Sequence, residues 1–337
     1  MQYENEQEAI LNIVFMGTPE FAATSLRHLI ASGHNIELVV TQPDKKKNRG
    51  KKLVYSPVKE VALENNIPII QPLKIKNDKE AIEKLRQAHE NAEIGIVVAY
   101  GQLLPREVLD MPKKGYVNVH ASLLPKLRGA SPIQSAILLN EKPTGISIMK
   151  LEEKLDSGPV YSSVNVDVEG KTAGELESDM AKVGAELLVK TLDRFDEIKP
   201  QIQNDSDATF CGIIKKQDGH IDFSKGADEI ERMCRAYDPW PGTFASIEDK
   251  TYKFWNFDVV NSVSSDNVKV KEADVYSNTN VVPGEIVEVS SDRLVIACGI
   301  YGEERINVLE LQAPGKKRMN IEDFLRGNKI SKGMKFV

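Results

Sequence analysis

The stretch from Leu11 to Thr41, LNIVFMGTPEFAATSLRHLIASGHNIELVVT, decides the fold. Leu11 to Met16 is a short apolar run stopped by Gly17, as a buried strand would be. Thr18 then stands as a candidate N-cap, with Pro19 at the first helical position. Phe21, Ala22, Ser25, Leu26, Leu29 and Ile30 follow at helical spacing, and Gly33 ends the element. Ile36 to Thr41 is a second strand. The same alternation continues outward: helix Val58 to Asn65, strand Ile67 to Ile70, helix Ala81 to His89, strand Ile94 to Ala99, strand Gly115 to His120, helix Ser131 to Leu139. Strands and helices at such short intervals predict an α/β domain, a Rossmann-like open sheet with helices on both faces.

Beyond it the texture changes. Thr172 to Phe195 reads as a long amphipathic helix and Pro200 to Thr209 as polar and irregular. From Phe210 onward, after one helix over Gly226 to Tyr237, the segments are short and β-type: Tyr252 to Trp255, Gly284 to Val289, Leu294 to Ala297 and Ile306 to Leu311. These predict a small OB-like β-barrel. The expected organisation is a catalytic domain over 1–195, a linker over 196–210 and a second domain over 211–337. A chain of 337 residues has room for two domains.

Composition narrows the classes. Hydrophobic residues are 41% and charged residues 28%, as in ordinary globular proteins. The polar, acidic N-terminus predicts no secretory signal, and no apolar run reaches 18 residues, so a cytoplasmic protein is expected. Cys211, Cys234 and Cys298 are too scattered for a disulfide framework or a metal pair. The net charge is -6, yet Asp44 to Lys52 holds six Lys or Arg against one Asp, and Gly315 to Val337 holds seven against two acids. Two basic segments on an acidic chain point to local contact with a polyanion; solvated surface is the plainer alternative.

The chemistry concentrates in Asn118-Val-His120-Ala-Ser122-Leu-Leu-Pro125, Arg128-Gly129 and Leu155-Asp156-Ser157-Gly158. His120, at the end of a strand, is a candidate base or proton shuttle, since its ordinary pKa lies near neutrality. Asn118, two residues earlier, shares its side of the strand and can donate to an oxygen that gains charge. Asp156 follows the strand Ile146 to Met149, and a neighbouring parallel strand would bring it beside the imidazole. Ser122 lacks the Gly-x-Ser-x-Gly elbow of a nucleophile, so direct transfer is expected. Gly17 to Phe21 lacks the Gly-x-Gly-x-x-Gly dinucleotide pattern, and no residue cluster has metal-ligand spacing, so no metal is expected. Tyr237 to Gly242 reads as a rigid turn. Tyr252, Phe254 and Trp255 read as barrel core or as base-stacking residues.

Taken together these motifs resemble the methionyl-tRNA formyltransferases, of the folate-dependent formyltransferase family, over nearly the whole chain. The residues carrying the likeness are Gly17 to Phe21, Thr41 to Lys59, the signature Asn118 to Ile133, Leu155 to Gly158, Asp238 to Pro241 and Pro314 to Met319. The resemblance implies 10-formyltetrahydrofolate as formyl donor and the α-amino group of methionine on initiator methionyl-tRNA as acceptor. It implies catalytic roles for Asn118, His120 and Asp156, and donor contacts at Tyr100, Gly101, Ser122, Leu123, Leu124 and Pro125. Contacts to tRNA would come from Lys45, Lys46, Lys47, Arg49, Lys51 and Lys52, and from Lys316, Lys317 and Arg318. A monomer is the default expectation. Two departures stand out: Lys154 precedes Leu155-Asp156 where the family often has Gly, and Lys45 to Asn48 replaces Pro and Gly. The alternatives are a small-amine formyltransferase, hydrolysis of the donor, and a nucleic-acid-binding protein without catalysis.

Overall fold

A computed structural model describes residues 10–47, 52–260 and 281–337. The chain divides into two units. One comprises Met1–Pro132, Lys142–Val168 and Leu176–Gly212; the other comprises Ile133–Glu141, Glu169–Glu175 and Ile213–Val337. In chain order the first elements are β1 (Asn12–Gly17), α1 (Glu20–Ala31), β2 (Asn35–Val40), β3 (Lys45–Lys47), β4 (Lys52–Val54), α2 (Pro57–Glu64) and β5 (Ile69–Ile70). Then come α3 (Lys79–Ala88), β6 (Ile94–Val98), α4 (Arg106–Leu109), β7 (Tyr116–His120), β8 (Arg128–Gly129) and α5 (Pro132–Leu138). β9 (Thr144–Lys150), β10 (Val160–Val166), α6 (Ala173–Asp193) and β11 (Phe210–Cys211) follow.

The main sheet of the first unit runs β10-β9-β7-β6-β1-β2-β5. The five strands from β7 to β5 are parallel, whereas β9 is antiparallel to β7 and β10 antiparallel to β9. β1 is apolar from Ile13 to Met16 because both of its faces are covered: Val14 and Met16 pack with Leu38, Ile82, Leu85 and Tyr116, while Ile13 and Phe15 are buried on the other side. The chain leaves β1 toward β2 and β5, then returns to place β6 on the other flank of β1. That reversal makes a switch point beyond Gly17 and Val98, one strand away from His120.

Two local expectations change. Pro19, not Thr18, is the N-cap residue of α1; the Thr18 hydroxyl instead meets the Tyr100 carbonyl (3.4 Å) and the Gln42 amide (3.3 Å). Thr18 thus ties together the ends of β1, β2 and β6. The strand carrying the chain to Asp156 is also antiparallel to β7, not parallel, with Val117 opposite Lys150. The following loop therefore departs beside Tyr116, at the start of β7, and folds back to reach His120.

The second unit contains α7 (Ala227–Ala236), β12 (Thr243–Ile247), β13 (Lys250–Val259), β14 (Ile286–Val289), β15 (Leu294–Cys298), β16 (Glu304–Gln312), β17 (Met319–Asn320) and α8 (Ile321–Gly327). Its antiparallel sheet runs β12-β13-β16-β15-β14, with β17 on β16. Among the described residues no ladder joins β12 to β14, so the OB-like barrel is not confirmed. The last residues touch both edges: Ser246 and Val337 exchange backbone hydrogen bonds, and Ile286 and Phe336 donate to Met334 and Gly284. Tyr252 and Phe254 are core residues, packed with Phe324 and Phe336, and do not present free faces for stacking.

Candidate active site

Asn118 and His120 lie two residues apart on β7 and so face the same side. The His120 ring is 6% exposed, and its Nε2 stands 3.0 Å from the Leu127 carbonyl oxygen. A carbonyl only accepts, so Nε2 carries the hydrogen and the neutral ring offers Nδ1 as the basic atom. Nδ1 is 3.8 Å from Asp156 Oδ2. That separation is too long for a hydrogen bond, so the two groups face each other without one. Asp156 Oδ2 accepts a hydrogen bond from the Gly129 backbone N–H at 2.8 Å. The Asn118 side chain is half-buried and has no hydrogen-bond partner among the described residues, so its amide is free to donate.

The backbone around these groups is unusual where the chemistry needs it. Leu127 and Asp156 have φ of 56° and 46°, the left-handed region that side-chain-bearing residues seldom adopt. The Thr209 carbonyl accepts from the Arg128 N–H at 2.9 Å, which holds the peptide whose Leu127 oxygen faces His120, and Thr209 Oγ1 accepts from the Leu127 N–H at 2.9 Å. Gly129 has φ of 126°, and a Cβ there would sit 2.1 Å from the Cys211 carbonyl oxygen where β11 pairs with β8. Gly158 is equally constrained, since a Cβ would lie 2.0 Å from the Lys150 oxygen.

Arg128 is 1% exposed, and each of its three guanidinium nitrogens donates a hydrogen bond. Nε and Nη2 donate to Gln203 Oε1 at 3.0 and 2.8 Å, and Nη1 donates to Asp205 at 2.9 Å. Asp205 also pairs with Lys154, and the two cations, Lys154 foremost, hold its carboxyl below the ordinary range. Lys154 is therefore spent on Asp205. The sequence does not single out Gln203, Asp205 and Thr209; their polar run reads as a connector, and only the buried demands of Arg128 and Leu127 reveal them.

The remaining expected contacts sort unevenly. Ser122 is buried, its hydroxyl donating to the Lys126 carbonyl (2.6 Å) and its own carbonyl accepting from Ser147 (2.7 Å), so it shapes the loop. The Tyr100 ring is packed in the core; only its backbone, like that of Gly101, reaches the strand ends. Leu123, Leu124 and Pro125 are half-buried beside these. Lys45 to Lys47 and Lys52 lie on two antiparallel strands that pair with one another, with Lys45 opposite Val54 and Lys47 opposite Lys52. Arg49 and Lys51 lie outside the described residues. The hairpin base is fixed: Lys59 Nζ donates to Asp44 (2.6 Å) and Gln71 (2.8 Å) and lies 4.1 Å from the Tyr55 ring centre. Lys316 and Lys317 are exposed. Arg318 is not free, since it pairs with Asp238 (2.8 Å) and Glu310 and covers Trp255. A cleft of about 620 Å³ opens at the other end of β7, lined by Arg106, Lys113, Lys150 and Glu153 among others, away from His120. Among the described residues no cluster of His, Cys, Asp and Glu could hold a metal ion, and no helix is long and apolar enough to cross a membrane.

An Asn/His/Asp set at the end of a sheet strand, without a nucleophile beside it, has the donor, base and carboxylate that acyl transfer by direct attack requires. The family described as formyl transferase matches residues 11–192, and the formyl transferase C-terminal domain matches residues 213–329. A methionyl-tRNA formyltransferase of Lachnospira eligens is 42% identical over 96% of this chain and 99% of its own length. The corresponding enzyme of Clostridioides difficile is also 42% identical, with the same coverage. Solved structures share the fold at lower identity. A sugar 3N-formyl transferase, WlaRD, crystallised with dTDP and 5-N-formyl-THF, matches with TM-score 0.61 and 18% identity over 92% of this chain and all of its own. HypX from Aquifex aeolicus in complex with tetrahydrofolic acid matches with TM-score 0.60 and 13% identity over 96% of this chain and 51% of its own. The chain belongs to the formyl transferase family, among the methionyl-tRNA formyltransferases.

Proposed function

We propose that this chain transfers the formyl group of 10-formyltetrahydrofolate to the α-amino group of methionine on initiator methionyl-tRNA. The observation that carries the chemistry is the pairing of an unspent Asn118 amide with an imidazole whose basic Nδ1 faces Asp156. The neutral amine attacks the formyl carbon, and the carbonyl oxygen gains charge as the carbon becomes tetrahedral. Asn118 donates to that oxygen. The amine proton passes to His120 Nδ1, directly or through water, and Asp156 stabilises the imidazolium. The proton returns to the departing folate nitrogen as its bond to the formyl carbon breaks, so neither protons nor electrons are left over.

The donor would lie against the backbone of Tyr100 and Gly101 and the loop Ser122 to Pro125, since the Tyr100 and Ser122 side chains are committed elsewhere. The lysines of the β3–β4 hairpin, with Arg49, and Lys316 and Lys317 would meet tRNA phosphates. The first unit is read as catalytic and the second as tRNA-binding, in a monomer working in the cytoplasm.

The deciding experiment offers 10-formyltetrahydrofolate with three acceptors in parallel: initiator methionyl-tRNA, elongator methionyl-tRNA and free methionine. Rapid transfer to the initiator alone is the expected result. Donor consumption with none of the three formylated would overturn the reading.

A further inference from the structure

We propose that Gln203, in the polar segment after α6, is a positioning residue that holds Asp156 in place for catalysis. Its amide is used completely. Nε2 donates to the Asp156 carbonyl at 2.9 Å and to the Gly158 carbonyl at 2.7 Å, while Oε1 accepts twice from the buried guanidinium of Arg128. One side chain thereby links the loop that carries Asp156 to the strand β8, whose Gly129 N–H meets the Asp156 carboxylate. The backbone of Asp156 is in the left-handed region at φ 46°, a conformation that persists only where the surrounding structure holds it. Gln203 is the side chain that does so from one side; Gly158, pressed against Lys150, limits the loop from the other. Gln203 is anchored in turn, since Gln201 exchanges two 2.8 Å backbone hydrogen bonds with Val160 and the Arg128 N–H donates to the Thr209 carbonyl at 2.9 Å. The segment expected to be a linker is thus part of the support for the catalytic carboxylate.

The inference rests on the reading above in which Asp156 orients and stabilises His120. A Gln amide is needed rather than any polar group, because the site asks for two donors and a shared acceptor from one planar head. Glutamate keeps the acceptor for Arg128 and loses both donors. Methionine keeps the shape and loses all three functions without adding charge.

The test is steady-state and single-turnover formyl transfer to methionyl-tRNA by Gln203→Glu, Gln203→Met, Asp156→Asn and the double variants. Both single Gln203 variants should lose about 10- to 100-fold in kcat, the scale of a misplaced catalytic group, with KM for donor and tRNA within about twofold. In the Asp156→Asn background the same changes should cost nothing further, because the group they position is gone. Should one Gln203 variant fail to fold, the other carries the same comparison. Unchanged kcat in either folded variant would overturn the inference. So would a raised KM at normal kcat, a loss seen with Glu but not Met, or losses that simply multiply with Asp156→Asn. Normal turnover by Asp156→Asn alone would instead remove the role of Asp156 itself, a separate failure visible in a separate arm.

Discussion

At the scale of single residues, the site works by removing freedom from a few atoms. The Leu127 carbonyl fixes which imidazole nitrogen of His120 carries hydrogen, and Thr209 fixes the peptide that bears that carbonyl. Asn118 is the exception, an amide with no hydrogen-bond partner among the described residues. A donor of that kind contributes in the transition state more than in the ground state. Asn118→Ala should therefore lower kcat by about 10²- to 10³-fold with little change in KM for either substrate, measured in single turnover. His120→Ala should lower it by about 10²- to 10⁴-fold. Near-normal turnover in the His120 variant at saturating substrates would sink direct proton transfer through this ring. Neither change should unfold the protein, since among the described residues Asn118 holds no hydrogen-bond partner and His120 bonds the Leu127 carbonyl.

At the scale of elements, the β3–β4 hairpin shows what holds a basic structure together. A two-stranded ribbon is marginal by itself. Its stability has to come from the base, where Asp44, Lys59, Gln71 and Tyr55 meet. Lys59 holds the Asp44 carboxyl below its ordinary value, so the pair stabilises in full above the unfolded carboxylate pKa of about 4 and is lost as pH falls through the lower native value. The gap in melting temperature between the wild type and Asp44→Asn should stay constant from pH 7 to about pH 5 and close below pH 4. A gap that persists to pH 2 would show that the ion pair is not its source. This hairpin also marks where sequence reading stops. Buried strands such as β1 and β6 announce themselves by continuous apolar runs, and Asn118, His120 and Asp156 by their motif. β10 does not, because Ser162, Ser163 and Asn165 break its apolar pattern. The direction of β9 is not written in its residues at all. Gln203 was illegible for another reason: its partner Arg128 is 75 residues away, and only folding reveals that a buried guanidinium needs it.

At the scale of the whole molecule, a chain of net charge -6 has to bind a polyanion. General attraction is therefore absent, and affinity has to come from local cations that displace counterions. Counting lysines and arginines overstates how many are available. Arg318 shares its charge with Asp238 and Glu310, and Lys154 with Asp205, whereas Lys316 and Lys317 are exposed. A cation already neutralised within the protein releases no additional counterion when tRNA arrives. The salt dependence of tRNA binding should therefore separate the two kinds. Lys316→Ala with Lys317→Ala should reduce the slope of log K against log salt by about two phosphate contacts, and Arg49→Ala by about one. Arg318→Ala should leave the slope unchanged and show its effect in thermal stability, through Trp255 and the two carboxylates it leaves unpaired. An Arg318 variant that flattens the slope as much as a lysine variant would mean that the guanidinium leaves its acidic partners for a phosphate, and that neutralised pairs on this surface are a reserve of binding charge.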